Sequence, residues 1–172
     1  MALIPTSVPG LEFRWAEEED VPLILEYIRE LAEYEKIADQ VVATEEVLAS
    51  SLFGPQPAAE VILAELVGEP VGFALFFQNF STLLGRPGIY LEDLYVRPLA
   101  RGRGVGRALL AFLAALTVER GMARLDWWVL DWNESAIRFY RQLGAVAMDE
   151  WTVYRLTGDA LKGLAAEAGL PS

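Results

Sequence analysis

Residues 90–110 carry the sequence YLEDLYVRPLARGRGVGRALL, and this stretch decides how the chain folds. It opens with the apolar pattern of a strand and closes with the apolar spacing of a helix, and glycine occupies positions 102, 104 and 106 between them. Glycine leaves room for the backbone to approach a ligand, and the start of a helix adds unpaired N–H groups and partial positive charge. The stretch therefore predicts a strand, a phosphate-binding turn and a helix.

Two familiar phosphate-binding loops do not match this spacing. A Walker A loop needs Lys followed by Ser or Thr after its last glycine, whereas the last glycine here is followed by Arg107 and Ala108. A dinucleotide-binding fingerprint counted from the first glycine needs glycine or alanine at position 107. The remaining pattern is Arg-x-x-Gly-x-Gly on Arg101, Gly104 and Gly106, and the alternative is an ordinary glycine-rich turn between a strand and a helix.

Four arginines surround this turn in a chain that is otherwise acidic. They are Arg97, Arg101, Arg103 and Arg107, whereas the whole sequence has a formal net charge of -11. Local positive charge favours a polyanionic ligand, and the alternative for each arginine is a solvated helix start. The net charge of the chain disfavours nucleic acid as a partner and suits a cationic substrate.

The composition limits the chemistry further. The 172 residues fit a single domain and are 53% hydrophobic, a share that predicts an additional buried interface such as that of a homodimer. Cysteine and histidine are absent, which excludes disulfides, thiolate nucleophiles, histidine-based triads and the usual zinc sites. Acid–base work falls to Asp, Glu, Tyr, Lys or water, and no metal is expected. No secretory or membrane-spanning segment is apparent, so we expect a cytoplasmic protein without a membrane partner.

Two prolines and a glycine predict a loose N-terminal arm at residues 1–10, and the apolar periodicity that follows predicts one domain at 11–172. The helix at 104–120 is apolar nearly all round, so we expect it to be buried on most sides. A strand, a helix and a strand in succession predict one parallel crossover. The predicted strands are 11–16, 60–67, 71–80, 89–96, 125–130 and 146–156, and the predicted helices are 17–35, 44–51, 104–120, 133–143 and 159–168.

The chain resembles the GNAT N-acetyltransferases, and within them the diamine acetyltransferase family. Besides residues 90–110, the segments that carry the resemblance are ELAEYEK at 30–36, VLDWNE at 129–134 and FYRQLGA at 139–145. The resemblance covers roughly residues 11–156 and is stronger to the thialysine N-acetyltransferase branch than to the spermidine/spermine branch. It implies an α/β GNAT fold with a mixed, mostly antiparallel sheet flanked by helices. It also implies that the sheet is splayed beside the strand ending at Val96 and that acetyl-CoA is the co-substrate.

The resemblance also implies which residues form the site. Acetyl-CoA is expected to lie along the strand end and the glycine turn, with Asn133 as a further contact. Tyr140 is expected to protonate the departing CoA thiolate, and the alternative is a core aromatic. Asn133 could also be a helix cap alone. The predicted acetyl-CoA contacts are Leu94, Tyr95, Val96, Arg101, Gly102, Arg103, Gly104, Val105, Gly106, Arg107, Asn133 and Tyr140.

Removal of the amine proton is the main chemical difficulty. An ammonium with a pKa of about 10.4 is neutral in only about one molecule in a thousand near pH 7.4, which adds roughly 4 kcal/mol to the barrier. Since histidine is absent, a carboxylate that acts through water is the natural base. The resemblance assigns this role to Glu92 and places Asp93 near the substrate amine. Adjacent strand residues point to opposite faces unless a bulge intervenes, and the alternative for both carboxylates is a solvated strand edge.

The acceptor is predicted to be a small primary amine such as a lysine-like amino acid or a diamine. Tyr34 and Glu35 match acceptor positions of the family. Residues 79–85 lack the aspartate and tryptophan with which the polyamine enzymes hold a long polycation. A polyamine acetyltransferase is the first alternative, and a non-catalytic acyl-CoA sensor or an enzyme acting on a protein acceptor are the others.

Overall fold

The computed structural model describes residues 1–171, which form two compact units. The first unit is Met1–Leu130 and the second begins at Asp131. The first unit contains the sheet and three helices: α1 at Val21–Tyr34, α2 at Glu45–Phe53 and α3 at Val105–Glu119. Within residues 1–171, no helix has the length and apolar character needed to cross a membrane.

The sheet has six strands whose order in space follows their order in the chain. The first five strands pair antiparallel with their neighbours, and the sixth runs parallel to the fifth. This confirms the predicted mixed, mostly antiparallel sheet, and α3 provides the expected crossover between the two parallel strands. The strands are β1 at Ile4–Pro5, β2 at Leu11–Trp15, β3 at Glu60–Leu66, β4 at Glu69–Ser81, β5 at Arg86–Val96 and β6 at Leu125–Trp127.

The first ten residues contribute to this sheet. Ile4 pairs with Phe13 across the β1–β2 ladder. The Thr6 hydroxyl donates to the Leu11 carbonyl at 2.8 Å and accepts from the Val8 N–H at 3.1 Å. These local hydrogen bonds hold the arm against β2, whereas the proline and glycine content had predicted a loose segment.

Helices cover both faces of the sheet. On one face, Ile24 and Tyr27 of α1 pack with Leu63 and Phe73, and the Tyr27 ring stacks on Phe73 at 5.2 Å. On the other face, Phe112 of α3 contacts the rings of two β2 residues, Phe13 at 5.7 Å and Trp15 at 5.9 Å. The alternation of side chains along each strand supplies both faces.

Helix α3 is buried on one side only, which corrects the prediction that most of its sides are buried. Its buried residues recur at helical spacing, and they are Val105, Leu109, Leu110, Leu113 and Thr117. The opposite side carries exposed alanines and Val118. Alanine has little apolar area, so an apolar side rich in alanine can remain in water at small cost.

Strand β5 has two irregularities that matter for the site. In the β4–β5 ladder Asp93 pairs with Leu75 and Leu91 pairs with Phe76, so Glu92 is an extra residue in a β-bulge. The ladder between β5 and β6 runs only from Ile89 to Leu91 among the described residues. Residues 92–96 therefore continue past the end of the ladder with β6, and the splay beside Val96 stays a prediction.

The second unit contains α4 at Glu134–Gln142 and α5 at Gly158–Ala166. The predicted strand at 146–156 is wrong, because this segment forms neither strand nor helix. Its apolar side chains are exposed, with Trp151 at 74% and Tyr154 at 93%. A strand needs a neighbour to pair its backbone groups, and no strand within residues 1–171 pairs with this segment.

Candidate active site

The glycine turn has the backbone geometry that its sequence predicts. Gly102 and Gly104 have φ angles of 76° and 82°, in the left-handed region that side chains disfavour. Gly104 is the N-cap of α3 and its carbonyl accepts the first helical hydrogen bond, from Ala108 N–H at 2.9 Å. The preceding N–H groups, those of Val105, Gly106 and Arg107, have no intrahelical acceptor. They form a cluster of donors at the positive end of the helix dipole.

Gly106, the middle residue of these three, carries no side chain beside the donors. A Cβ atom built on Gly106 would meet its nearest neighbour, Val96 Cγ2, at 3.9 Å, so packing within this chain does not require glycine there. A larger side chain would instead occupy the space through which a ligand reaches the N–H groups. The residues of the turn therefore fit the pyrophosphate of a coenzyme A thioester.

The clustered arginines divide into different roles. The Arg97 guanidinium lies 2.8 Å from the Glu26 carboxylate and 3.4 Å from that of Glu30, and it stacks over the Tyr27 ring at 4.8 Å. Arg97 therefore links α1 to the end of β5 and has a structural role. Arg103 and Arg107 are exposed beside the turn and add the positive charge that was predicted there.

Arg101 lies between the glycine turn and the end of α1. Its Nε atom donates to the Val96 carbonyl at 3.0 Å, and its guanidinium lies 5.1 Å from the centre of the Tyr34 ring. Tyr34 is 40% exposed. The aromatic residue predicted for the acceptor site is thus in contact with an arginine predicted for the cofactor site, so the two predicted regions adjoin one another.

The end of β5 offers backbone groups to an extended ligand. Tyr95 is buried beneath α1, with its ring 5.9 Å from that of Tyr27, whereas Leu94 and Val96 are half-buried. On the side facing β6, residues 92–96 have no strand partner within the described part of the chain. The amide-containing arm of a coenzyme A molecule can pair with such a strand, as added strands do in peptide complexes.

A pocket of about 330 Å³ opens beside the bulge in β5. Its polar lining consists of Glu35 from the end of α1, Asp93 from β5, and Gln40. Seven apolar residues from α1 and from segment 37–43 form the remaining wall, Ile28, Leu31 and Val41 among them. The pocket therefore combines an acidic end with an apolar wall, which suits an aliphatic chain with a cationic end.

Three carboxylates act on one another at this acidic end. Burial, together with the charges of Glu92 and Glu35, raises the pKa of Asp93 to about 7. Burial, followed by the charge of Glu92, also raises the pKa of Glu35. Glu92 itself is exposed. Glu35 is therefore within electrostatic reach of both carboxylates of β5, of which only Asp93 lines the pocket.

The turn after α1 closes the pocket. Lys36 has a φ angle of 62°, in the left-handed region, and Ile37 N–H donates to the Ala32 carbonyl at 2.9 Å. This reversal ends α1 directly after Glu35 and sends segment 37–43 back along the helix. Sequence reasoning missed Gln40 and this segment. The helical spacing of Ile28, Leu31 and Glu35 was a signal that could have placed one wall of the pocket.

Two predicted residues lie in the second unit. The Asn133 side chain caps α4, and its Oδ1 atom accepts from Ala136 N–H at 3.4 Å and from the Ser135 hydroxyl at 3.3 Å. The cap predicted for Asn133 is therefore present. Tyr140 is half-buried in the same helix, with its ring 5.6 Å from that of Phe139.

Known proteins resemble the chain over most of its length. The model of the acetyltransferase (GNAT) family matches residues 24–145. Thialysine N-epsilon-acetyltransferase from Bos taurus is 41% identical, over 90% of this chain and 96% of that protein. L-ornithine N5-acetyltransferase from Arabidopsis thaliana is 34% identical, over 88% of this chain and 86% of that protein. An integron cassette protein from the mobile metagenome of V. cholerae has a TM-score of 0.76 and 29% identity, covering 91% of this chain and 98% of that one.

Proposed function

Since this chain belongs to the GNAT acetyltransferase family and is an N-acetyltransferase, we propose that it transfers the acetyl group of acetyl-CoA to the side-chain amine of a lysine-like amino acid or to a small diamine. The observation that carries this proposal is the pocket whose lining joins Glu35 and Asp93 to seven apolar residues. Relatives named for thialysine and ornithine support the same class of acceptor.

The residues of the first unit hold acetyl-CoA by its charge and by its extended shape. The N–H groups of residues 105–107 bind the pyrophosphate, and Arg103 and Arg107 add positive charge. The backbone of Leu94, Tyr95 and Val96 pairs with the pantetheine arm. When bound, acetyl-CoA supplies an acetyl group activated as a thioester. Arg101 and Asn133 are the further contacts that we assign.

Transfer is direct, because the chain has no cysteine to form a covalent intermediate. The acidic residues of the pocket orient the ammonium, and we assign removal of its proton to exposed Glu92, which acts through water. Tyr140 donates a proton to the sulfur that leaves. A phenol with an ordinary pKa of about 10 can do so as negative charge develops on sulfur.

Polyamines are the alternative acceptors, and the turn between β4 and β5 offers no acidic partner for their additional ammonium groups. Residues 82–85 connect β4 to β5 and contain no carboxylate. Ser81 is buried, and its hydroxyl accepts from Leu84 N–H at 3.3 Å. A second or third ammonium group of a polyamine therefore finds no acidic partner in this turn.

A screen of acceptors tests the proposal. Release of free thiol from acetyl-CoA is followed with thialysine, lysine, ornithine, putrescine, spermidine and an aminoglycoside as acceptors. We expect the highest kcat/KM with the lysine-like amino acids, about tenfold or more above spermidine, because one unpaired buried ammonium costs more than 1.4 kcal/mol. Activity confined to spermidine favours the polyamine alternative, and binding of acetyl-CoA without transfer to any amine favours a sensor.

We also propose that the protein acts as a homodimer. Exposed apolar side chains at 146–156, among them Trp151 and Tyr154, support an interface in this segment. Light scattering after gel filtration is expected to give twice the 19.1 kDa mass of one chain. Trp151→Glu is expected to yield the monomer, and a monomeric wild-type protein would exclude the proposal. A cytoplasmic location stays a prediction.

A further inference from the structure

We propose that Gln40 makes the acceptor pocket selective for α-amino acids over diamines, because its side-chain amide binds the α-amino and α-carboxylate groups of the acceptor. This inference rests on the proposed function and narrows the class of acceptor within it. Gln40 determines specificity in this proposal, and it takes no part in the transfer of the acetyl group or of a proton.

The composition of the pocket lining singles out Gln40. Seven of the ten lining residues are apolar, and two of the others, Glu35 and Asp93, are carboxylates. Gln40 is the remaining residue, and among the lining residues within 1–171 it alone has a side chain with N–H donors. A carboxylate that enters this pocket therefore finds its side-chain hydrogen-bond donor at Gln40.

The charges of the pocket set the direction in which an amino acid enters it. Glu35 and Asp93 repel one another, since the charge of Glu35 contributes to the raised pKa of Asp93. These two residues attract the side-chain ammonium of a lysine-like acceptor and repel its α-carboxylate. We therefore expect the α-carboxylate to bind at a part of the lining that has donors and no negative charge.

The backbone holds Gln40 in place at the pocket. Ala38–Gln40 form a single turn of 3₁₀ helix after the end of α1. The Gln40 N–H donates to the Ile37 carbonyl at 2.9 Å, and the Val41 N–H donates to the Ala38 carbonyl at 3.2 Å. Gln40 is exposed, so a ligand in the pocket can reach its amide.

The segment after Gln40 adds backbone donors to the lining. Val42 and Ala43 both line the pocket, and their N–H groups donate to no atom within residues 1–171. Such N–H groups are satisfied by solvent or by a ligand. Residues 40–43 therefore supply the donors, whereas Glu35 and Asp93 supply the negative charge.

A side-chain amide complements both polar groups of an α-amino acid. The Oε1 atom of Gln40 can accept from an α-ammonium, while Nε2 donates to an α-carboxylate. Hydrogen bonds to ionised groups are stronger than those between neutral groups. A diamine has only an ammonium at this end, so it uses Oε1 alone and leaves Nε2 without a ligand acceptor.

Two pairs of acceptors isolate the contribution of the α-carboxylate. Cadaverine is lysine without its carboxylate, and putrescine is ornithine without its carboxylate. We expect the kcat/KM of the wild type to be about tenfold or more higher for each amino acid than for its diamine, which is the value of about one charge-assisted hydrogen bond. Equal kcat/KM values within each pair, or a preference for the diamines, would overturn the proposal.

Two substitutions of Gln40 test the residue itself. Gln40→Glu has the same shape but replaces the donor with a second repelling carboxylate. Its kcat/KM is expected to fall about tenfold or more for lysine and to stay level or rise up to about fivefold for cadaverine. Gln40→Leu removes both hydrogen bonds and adds no charge, so its kcat/KM values for lysine and cadaverine are expected to lie within about threefold of each other.

Gln56→Glu is the matched control for the added charge. Gln56 is exposed in the segment between α2 and β3, and it is not among the pocket residues within 1–171. The ratio of the two kcat/KM values is expected to stay within about twofold of that of the wild type. An equal change of this ratio in Gln56→Glu and Gln40→Glu would show that net charge causes it, and this result overturns the proposal.

The failure of this inference can be told apart from the failure of the proposed function. If the wild type acetylates none of the amines, the proposed function fails and this inference with it. If the wild type prefers lysine and keeps that preference in both Gln40→Glu and Gln40→Leu, this inference alone fails. The Kd of acetyl-CoA, measured by calorimetry, is expected to be the same in all four proteins, which confirms that the variants are folded.

Discussion

The glycine turn at 102–106 and the acidic pocket at Asp93 present opposite charges and are built in opposite ways. The turn is one contiguous stretch whose donors are backbone N–H groups at the start of α3. The pocket combines side chains from α1, segment 37–43 and β5. A site made of backbone N–H groups tolerates most changes in neighbouring side chains, unless the new side chain blocks access to those groups. A site made of side chains depends instead on particular carboxylates and on their burial. The predictions below test this difference.

Gly106→Val is expected to have the largest effect on the turn. The new side chain occupies the space in front of the N–H donors, and the loss of about two charge-assisted hydrogen bonds raises the Kd of acetyl-CoA by about 100-fold or more. Stability is expected to change little, because the nearest atom to the new Cβ lies at 3.9 Å. Calorimetric titration measures the Kd, and thermal unfolding measures the stability.

The matched control is Gly163→Val in α5. Gly163 is also helical and has open space around its Cβ position, yet it lies outside the turn. Its Kd for acetyl-CoA is expected to be unchanged. An equal loss of affinity in both variants would contradict the idea that Gly106 is kept small for a ligand.

Asp93→Asn is expected to stabilise the protein at high pH. The folded pKa of Asp93 is about 7, above its ordinary value, so the free energy of unfolding of the wild type falls as the pH rises from about 4 to about 7. The asparagine variant does not titrate and avoids this loss. We expect it to be more stable than the wild type by about 1–3 kcal/mol at pH 8 and equally stable near pH 4.

Urea unfolding at the two pH values measures this difference. Equal stability of the two proteins at pH 8 would mean that the carboxylate of Asp93 is not strained by burial and by its neighbours. Reduced activity together with increased stability is the pattern expected where a charged group is buried for its chemistry.

Two arginines near the turn are expected to show smaller and contrasting effects. Arg97→Ala is expected to lower the free energy of unfolding by about 1–2 kcal/mol, since Arg97 holds Glu26 and Glu30 of α1. Arg101→Ala is expected to raise the KM for acetyl-CoA by about five- to tenfold with little loss of stability, because Arg101 is exposed. Chemical unfolding and steady-state kinetics on both variants distinguish these roles. A loss of stability in Arg101→Ala together with a raised KM in Arg97→Ala would reverse the two assignments.

Much of the fold and of the turn could be predicted because the signals are local. Left-handed φ angles favour glycine at positions 102 and 104, and the predicted cap of α4 is present at Asn133. The errors came where a local pattern depended on distant partners. Apolar residues at 146–156 suggested a strand, but a strand forms only when a neighbour pairs with it. The apolar character of α3 suggested burial on most sides, but only one side meets the sheet.

The amino-acid sequence by itself determined the glycine turn and the helix caps, because each depends on the identity of a few adjacent residues, and its composition excluded histidine and cysteine chemistry. Only the tertiary structure decided that Glu92 is the extra residue of a bulge, that segment 37–43 lines a pocket, and that half-buried Asp93 lies within electrostatic reach of two like charges. The physical reason is that burial and electrostatic repulsion depend on groups separated by tens of residues, which folding alone brings together.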